Sequence, residues 1–146
     1  NVIAVDPYLD KAEITFGPKG HKVSVTIETS SMDEMLSKAD AISLHVPFLG
    51  SPALGPDEFA KMKDGVIIAN ASRGGTIDED ALLAALESGK VAGAGLDVYV
   101  GEPTPRKELL NHPRISVTPH IGASTAEAQE KIGIELAEKL IAVLGK

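Results

Sequence analysis

Two basic residues of this chain stand in company that suggests chemistry. The first is Arg73, in Asn70-Ala71-Ser72-Arg73-Gly74-Gly75, just beyond a strongly apolar run. A guanidinium presents a planar fork that matches a carboxylate, and the two glycines let backbone come close to a ligand. The plain alternative is a salt-bridging arginine on a tight turn. The second is His120, in Thr118-Pro119-His120-Ile121-Gly122. A histidine can exchange a proton near neutral pH, and a nearby carboxylate would hold its ring and favour the imidazolium. Glu102, in the constrained turn Gly101-Glu102-Pro103, is the available carboxylate; taken alone it reads as a surface acid.

Other residues fall at the ends of apolar runs. Asp6 follows Val2–Val5; a carboxylate there can accept from both hydroxyls of an adenosine ribose and would repel a 2′-phosphate, or it is a solvated acid before Pro7. His45-Val46-Pro47 closes another run, where His45 is either a site residue or a satisfied strand-end histidine. Asp97 ends Gly93-Ala94-Gly95-Leu96-Asp97-Val98, whose small side chains suit close helix packing or a flat ligand. The spacing of His45, His112 and His120 matches no zinc pattern, and no metal site is expected.

Positioning these residues requires strands. Val2–Val5, Val23–Ile27, Ala41–Val46, Val66–Ala71, Val91–Val98 and Ile115–Thr118 are short and β-branched, and read as strands buried on both faces. Helices lie between several of them. Ser31-Met32-Asp33-Glu34 is a capping box, Asp57–Lys63 makes a short helix, and Asp78 opens a helix that Gly89 stops. Ser124-Thr125-Ala126-Glu127 is a second capping box, opening the longest helix, whose Ala128, Ile132, Leu136, Leu140 and Leu144 recur every four residues. The alternation implies an α/β fold: an open, mostly parallel, doubly wound sheet with helices on both faces, in which ligands bind at the strands' carboxyl ends.

Composition narrows the function. The 146 residues suit one domain, with no internal repeat or dividing linker. With aromatics at 3% and no Trp, the core must be aliphatic. The absence of cysteine excludes a disulfide framework, thiol catalysis and Cys-ligated zinc, and fits a reducing, cytoplasmic setting. A net charge of −7 argues against a nucleic-acid face. No run reaches the ~20 apolar residues of a membrane span, and Asn1–Asp6 has neither the basic region nor the cleavage pattern of a signal peptide.

Together, the strand ending in Asp6, Leu44-His45-Val46-Pro47, Asn70-Ala71-Ser72-Arg73-Gly74-Gly75, Leu96-Asp97-Val98, Gly101-Glu102-Pro103 and Pro119-His120-Ile121-Gly122 resemble the D-isomer-specific 2-hydroxyacid dehydrogenases over nearly the whole chain. Within that family, His120–Thr125 with Glu127-Ala128-Gln129 is most similar to the phosphoglycerate dehydrogenase branch. The resemblance implies a Rossmann domain using NAD. Arg73 would clamp the substrate carboxylate and carbonyl. His120 would give or take the hydroxyl proton, and Glu102 would hydrogen-bond His120. Asp6 would bind the adenosine ribose, Asp97 would meet the nicotinamide carboxamide, and His45, Val46, Pro47, Ala71, Ser72 and Gly122 would line the cofactor. The implied reaction is hydride transfer between NAD and a D-2-hydroxyacid, with 3-phosphoglycerate and serine biosynthesis as the narrower expectation. The implied partners are a small 2-hydroxyacid or 2-oxoacid and, in the parent enzyme, further copies in a dimer or tetramer. The rival reading is a dehydrogenase-like module for NAD sensing or protein association.

Two departures qualify the resemblance. The loop Phe48–Gly55 has no threonine, where relatives commonly carry one or two. No Gly-x-Gly-x-x-Gly occurs in the chain, although the pattern should lie about 20 residues before Asp6. Residues 1–146 are therefore expected to be a partial NAD-binding domain without its first strand and Gly-rich turn, a fragment with roughly 150 further residues upstream in its parent. The substrate-binding domain is expected to lie outside the chain. Unpaired edges are expected on Val2–Val5 and Ala41–Val46, and the isolated chain is expected to have little or no turnover.

Overall fold

The computed structural model describes residues 1–18 and 21–145. Its centre is a four-stranded, all-parallel sheet made of consecutive strands: β3 (Ala41–Leu44), β4 (Val66–Asn70), β5 (Val91–Leu96) and β6 (Ile115–Val117). Two preceding strands, β1 (Lys11–Phe16) and β2 (Val23–Glu28), form a separate antiparallel hairpin. The helices are α1 (Met32–Lys38), α2 (Pro56–Lys61), α3 (Glu79–Ser88), α4 (Lys107–Leu110) and α5 (Ala126–Leu144). Parallel strands joined by helical crossovers make this a Rossmann-like α/β fold.

Local chemistry sets the helix ends. The Ser31 hydroxyl accepts the Glu34 N–H at 3.2 Å, and the Asp78 carboxylate accepts the Ala81 N–H at 2.9 Å. Gly89 closes α3 in the left-handed region, at φ 80°, where a Cβ would be strained. The longest helix begins one residue later than its capping box suggests. Thr125 is the cap, its hydroxyl accepting the Ala128 N–H at 3.1 Å.

The sheet differs from the sequence expectation in its burial. Side chains alternate between buried and exposed along β3 and β4. Ile42, Leu44, Val66, Ile68, Val91 and Leu96 pack with Leu36, Phe59, Leu82, Leu86 and Leu109 from α1 to α4 in a single core. All four of those helices therefore cover one face. On the other, Ala41, Ser43, Ile67 and Ala69 are exposed, and an open trough of about 660 Å³ is lined by Ile67, Ala92, Gly93, Gly95, Arg114 and Ser116. The apolar runs that suggested burial on both faces thus have one buried face in this chain.

The N-terminal region also departs from expectation. Val2–Val5 is not a strand; it makes one parallel bridge, Ala4 to Thr29, although Ile3 and Val5 pack against the core. Val23–Ile27 belongs to the hairpin, outside the parallel sheet. In that hairpin Ala12 faces Ile27, Ile14 faces Val25 and Phe16 faces Val23, so one face is wholly apolar, with Phe16 and Val23 each 56% exposed. Strand β3 is an edge of its sheet, as expected for Ala41–Val46, and pairs with β4 alone among the described residues. None of the described helices is long and apolar enough to cross a membrane.

One-faced burial has a direct test. Ile68 is fully buried and its neighbour Ile67 is 54% exposed. Ile68→Ala should cost about 2–5 kcal/mol in a denaturant titration, and Ile67→Ala no more than about 0.5 kcal/mol.

Candidate active site

The sheet register brings three strand ends level. Asn70 at the end of β4 pairs with Leu96 at the end of β5, which pairs with Val117 at the end of β6. The Asp97 N–H donates to the Asn70 carbonyl and the Thr118 N–H to the Leu96 carbonyl, so the ladder runs one residue past each strand. The loops leaving these ends carry Arg73, Glu102 and His120.

The first loop is knit by Asn70, which is 3% exposed. Its Oδ1 accepts the Ser72 N–H at 3.1 Å and the Ser72 hydroxyl at 2.8 Å. Its Nδ2 donates to Thr76 Oγ1 at 2.9 Å and to the Arg73 carbonyl at 3.3 Å. A buried amide must find such partners, and here they fold the turn that presents Arg73. The Arg73 side chain is exposed, and its Nη1 donates to the Ser72 carbonyl at 2.6 Å. Among the described residues it has no carboxylate partner, unlike Arg106, which pairs with Asp80. His45, Val46, Pro47, Ser72 and Arg73 line a cavity of about 300 Å³ at the ends of β3 and β4. The His45 ring Nε2 lies 2.9 Å from the Ser43 hydroxyl.

The second loop abuts the first through Gly74. A Cβ there would lie 2.0 Å from the Tyr99 carbonyl oxygen, so only glycine permits this approach. Tyr99 is buried, and its hydroxyl sits 2.8 Å from the carbonyls of both Leu96 and Thr118. Its N–H donates to Glu102 Oε1 at 2.8 Å. Glu102 Oε2 in turn lies 2.7 Å from His120 Nδ1. These two hydrogen bonds, His120 first, hold the Glu102 carboxyl below its usual range against a modest opposing effect of burial. A ring nitrogen bonded to a carboxylate carries the proton there, which leaves Nε2 as the free nitrogen.

Asp97 sits behind His120 and is 6% exposed. Oδ1 accepts the Ile121 N–H at 2.8 Å and also the Thr118 hydroxyl, and Oδ2 accepts the Gly122 N–H at 2.7 Å. Burial pushes this carboxyl up. The Thr118 hydroxyl, the two amides and the nearby His120 outweigh that push, so the group stays below its ordinary value. A Cβ on Gly122 would come 2.9 Å from Asp97 Oδ2 and 3.7 Å from the Ala71 side chain, which brings Ala71, Asp97 and Gly122 together.

Asp6 stands apart. Its Oδ1 accepts the Tyr8 N–H at 2.8 Å in a local turn. Asn70, Thr76, Tyr99 and Thr118 were not legible as site residues in the sequence. A polar residue ending an apolar strand was the available signal for Asn70; nothing local marked Tyr99. The Phe48–Gly55 loop is tied to the first loop, with the N–H groups of Ala53 and Leu54 both donating to the Thr76 carbonyl.

The arrangement offers an exposed guanidinium with no carboxylate partner among the described residues, a histidine backed by a carboxylate, and small residues at strand carboxyl ends. The chain contains no Gly-x-Gly-x-x-Gly turn to hold a pyrophosphate. Residues 1–122 match the family described as D-isomer specific 2-hydroxyacid dehydrogenase, NAD binding domain. The hydroxypyruvate reductase of Thermotoga maritima is 47% identical over 137 residues, which are 90% of this chain and 45% of that protein. The D-3-phosphoglycerate dehydrogenase 2, chloroplastic, of Arabidopsis thaliana is 44% identical over 98% of this chain and 22% of its own length. Among solved structures, a glyoxylate reductase from Paecilomyes thermophila superposes with a TM-score of 0.73 at 43% identity, over 82% of this chain and 38% of that one. The chain thus spans less than half the length of these relatives.

Two outcomes follow from this geometry. Gly74→Ala places its methyl against Tyr99 backbone that cannot swing away, and should destabilise the chain by about 1–3 kcal/mol in denaturant melts. Both Glu102 and Asp97 have folded-state values below those of the unfolded chain. Their stabilisation is therefore complete above the unfolded carboxyl range, about pH 4, and is lost as pH falls through the lower folded values. Melting temperatures should drop across that acid window, and Glu102→Gln and Asp97→Asn should each flatten the drop.

Proposed function

The chain belongs to the D-isomer specific 2-hydroxyacid dehydrogenase family, to its NAD-binding domain, and from that premise we propose that it supplies the cofactor-binding and proton-transfer half of an NAD-dependent oxidoreductase acting on a D-2-hydroxyacid. The observation that carries this reading is the Glu102–His120 pair at 2.7 Å, joined through Tyr99 and Gly74 to the turn presenting the exposed Arg73.

NAD, when bound, would accept or return the hydride, chemistry that belongs to the cofactor. Arg73 orients the substrate by a two-pronged grip on its carboxylate and carbonyl. In the oxidising direction His120 Nε2 takes the hydroxyl proton, and Glu102, already on Nδ1, stabilises the imidazolium that forms. In the reducing direction Nε2 returns that proton to the carbonyl oxygen. Asp6 accepts from the adenosine ribose hydroxyls. His45, Val46, Pro47, Ala71, Ser72 and Gly122 line the cofactor, and Asp97 offers its one remaining lone pair to the carboxamide. The narrower reading, following the phosphoglycerate dehydrogenase branch, takes 3-phosphoglycerate to 3-phosphohydroxypyruvate in the cytoplasm as a step of serine synthesis.

In this proposal residues 1–146 form a partial nucleotide-binding domain, and the substrate domain belongs to the rest of the parent. The bare sheet face and the exposed stripe of α5 support association of the parent as a dimer or tetramer. Calorimetry of the chain with NAD tests the reading. Heat of binding is expected, and Asp6→Ala should weaken it about tenfold or more, the worth of charged hydrogen bonds to the ribose. NADP should bind more weakly than NAD to the unsubstituted chain. Equal affinity of the Asp6→Ala chain, or no heat from a folded chain, would count against the proposal.

A further inference from the structure

We infer that Asp97 is a positioning residue for His120: its carboxylate, tied to the main chain of the Ile121–Gly122 turn, holds the backbone conformation from which the His120 ring reaches Glu102. The inference rests on the proposed function only for the reason that ring must be held.

His120 is the one described residue other than glycine with a positive φ, 56°. An L-residue in the left-handed region crowds its own Cβ against the carbonyl, so the conformation persists only where neighbours impose it. The neighbours are visible on both sides. Thr118, two residues before, gives its hydroxyl to Asp97 Oδ1. Ile121, one residue after, gives its N–H to the same oxygen at 2.8 Å, and Gly122 gives its N–H to Oδ2 at 2.7 Å. The carboxylate therefore brackets Pro119 and His120 from both ends. Asp97 itself cannot drift, because it follows β5 directly, is buried, and has its own N–H on the Asn70 carbonyl at 2.9 Å.

Glycine at 122 is part of the device. A side chain there would begin 2.9 Å from Asp97 Oδ2, too close for the amide to keep its bond. Within this bracket the His120 Nδ1 stands 2.7 Å from Glu102 Oε2. Released from it, His120 would relax toward the extended or right-handed region, and its Cα–Cβ bond would turn away from Glu102. Three of the roughly four lone-pair sites of the Asp97 carboxylate are spent on this loop. Its main work is thus on the protein's own backbone.

The test is nitrogen-15 NMR of the 146-residue chain, without cofactor or substrate. The readout is the His120 Nδ1 proton, identified by its loss in Glu102→Gln and slowed in exchange by its hydrogen bond. Asp97→Ala, still folded by circular dichroism, should exchange that proton at least about tenfold faster or lose its signal. Thr118→Val, which removes one of three anchors, should give a smaller change in the same direction. Unchanged protection in folded Asp97→Ala would overturn the inference and leave Asp97 as a residue of stability or charge alone. Should Asp97→Ala fail to fold, Gly122→Ala decides: it keeps the acid and breaks the Oδ2 anchor, and unchanged protection there also overturns the inference. Because the readout needs no NAD, a negative result leaves the proposed function standing. Equally, a failure to bind NAD leaves this inference standing.

Discussion

In a parallel ladder every strand ends on the same side of the sheet, so Asn70, Leu96 and Val117 emerge side by side from β4, β5 and β6. Everything at the site depends on that register. It places Asp97 beside the Asn70 carbonyl and Thr118 beside the Leu96 carbonyl. A slip of one residue would turn the buried set of each strand outward and carry Asn70 and Asp97 out of the pockets that satisfy them. The register is held from beneath by Ile68, Val91 and Leu96 against Leu82 and Leu86 of α3. Aliphatic packing thus fixes where polar chemistry can happen.

The polar residues at the strand ends then convert sheet order into loop order. Asn70 and Asp97 are both buried, and a buried amide or carboxylate left without partners would cost several kcal/mol. Each spends its hydrogen-bonding capacity on the loop beside it: Asn70 on Ser72, Arg73 and Thr76, and Asp97 on Thr118, Ile121 and Gly122. No buried side-chain nitrogen or oxygen among the described residues lacks a partner. The groups left exposed at the top, Arg73 and His120, are those suited to meet a ligand. This division of labour lets loops carry reactive side chains while remaining ordered.

The other face of the molecule follows a different logic. The sheet is covered on one side only, the hairpin has an apolar face of six side chains, and α5 buries none of its residues. Contiguous apolar surface of this extent marks places where other protein surface belongs. The relatives are more than twice as long as this chain.

Much of this was legible in the residues themselves. The β-branched runs at Ala41, Val66, Val91 and Ile115 are strands, and Ser31, Asp78 and Gly89 cap helices where their side chains or backbone freedom require. Both readings depend on chemistry within a few residues. The alternation Lys-Ala-Glu-Ile-Thr-Phe over Lys11–Phe16, mirrored in Val23–Glu28, is a period-two signal for the hairpin, whereas the sequence reading names only Val23–Ile27 as a strand and places it in the parallel sheet. Other features were not local. Whether Val2–Val5 forms a strand depends on a neighbour to pair with, and here it finds one bridge. Whether Val66–Asn70 is buried on one face or two depends on which helices arrive, because its composition suits both.

The same boundary runs through the site. The sequence alone determined which side chains could do chemistry, since Arg73, Glu102 and His120 carry their fork, carboxylate and imidazole in any conformation. It is the folded sheet that sets Glu102 2.7 Å from His120, requires glycine at 74 because Tyr99 backbone occupies its Cβ position, and turns Asp97 onto the loop that follows β6. Chemical capacity is a property of a residue type and travels with the letter. Proximity between residues 18 or 25 positions apart is a property of the sheet that brings strand ends together, and no local pattern encodes it.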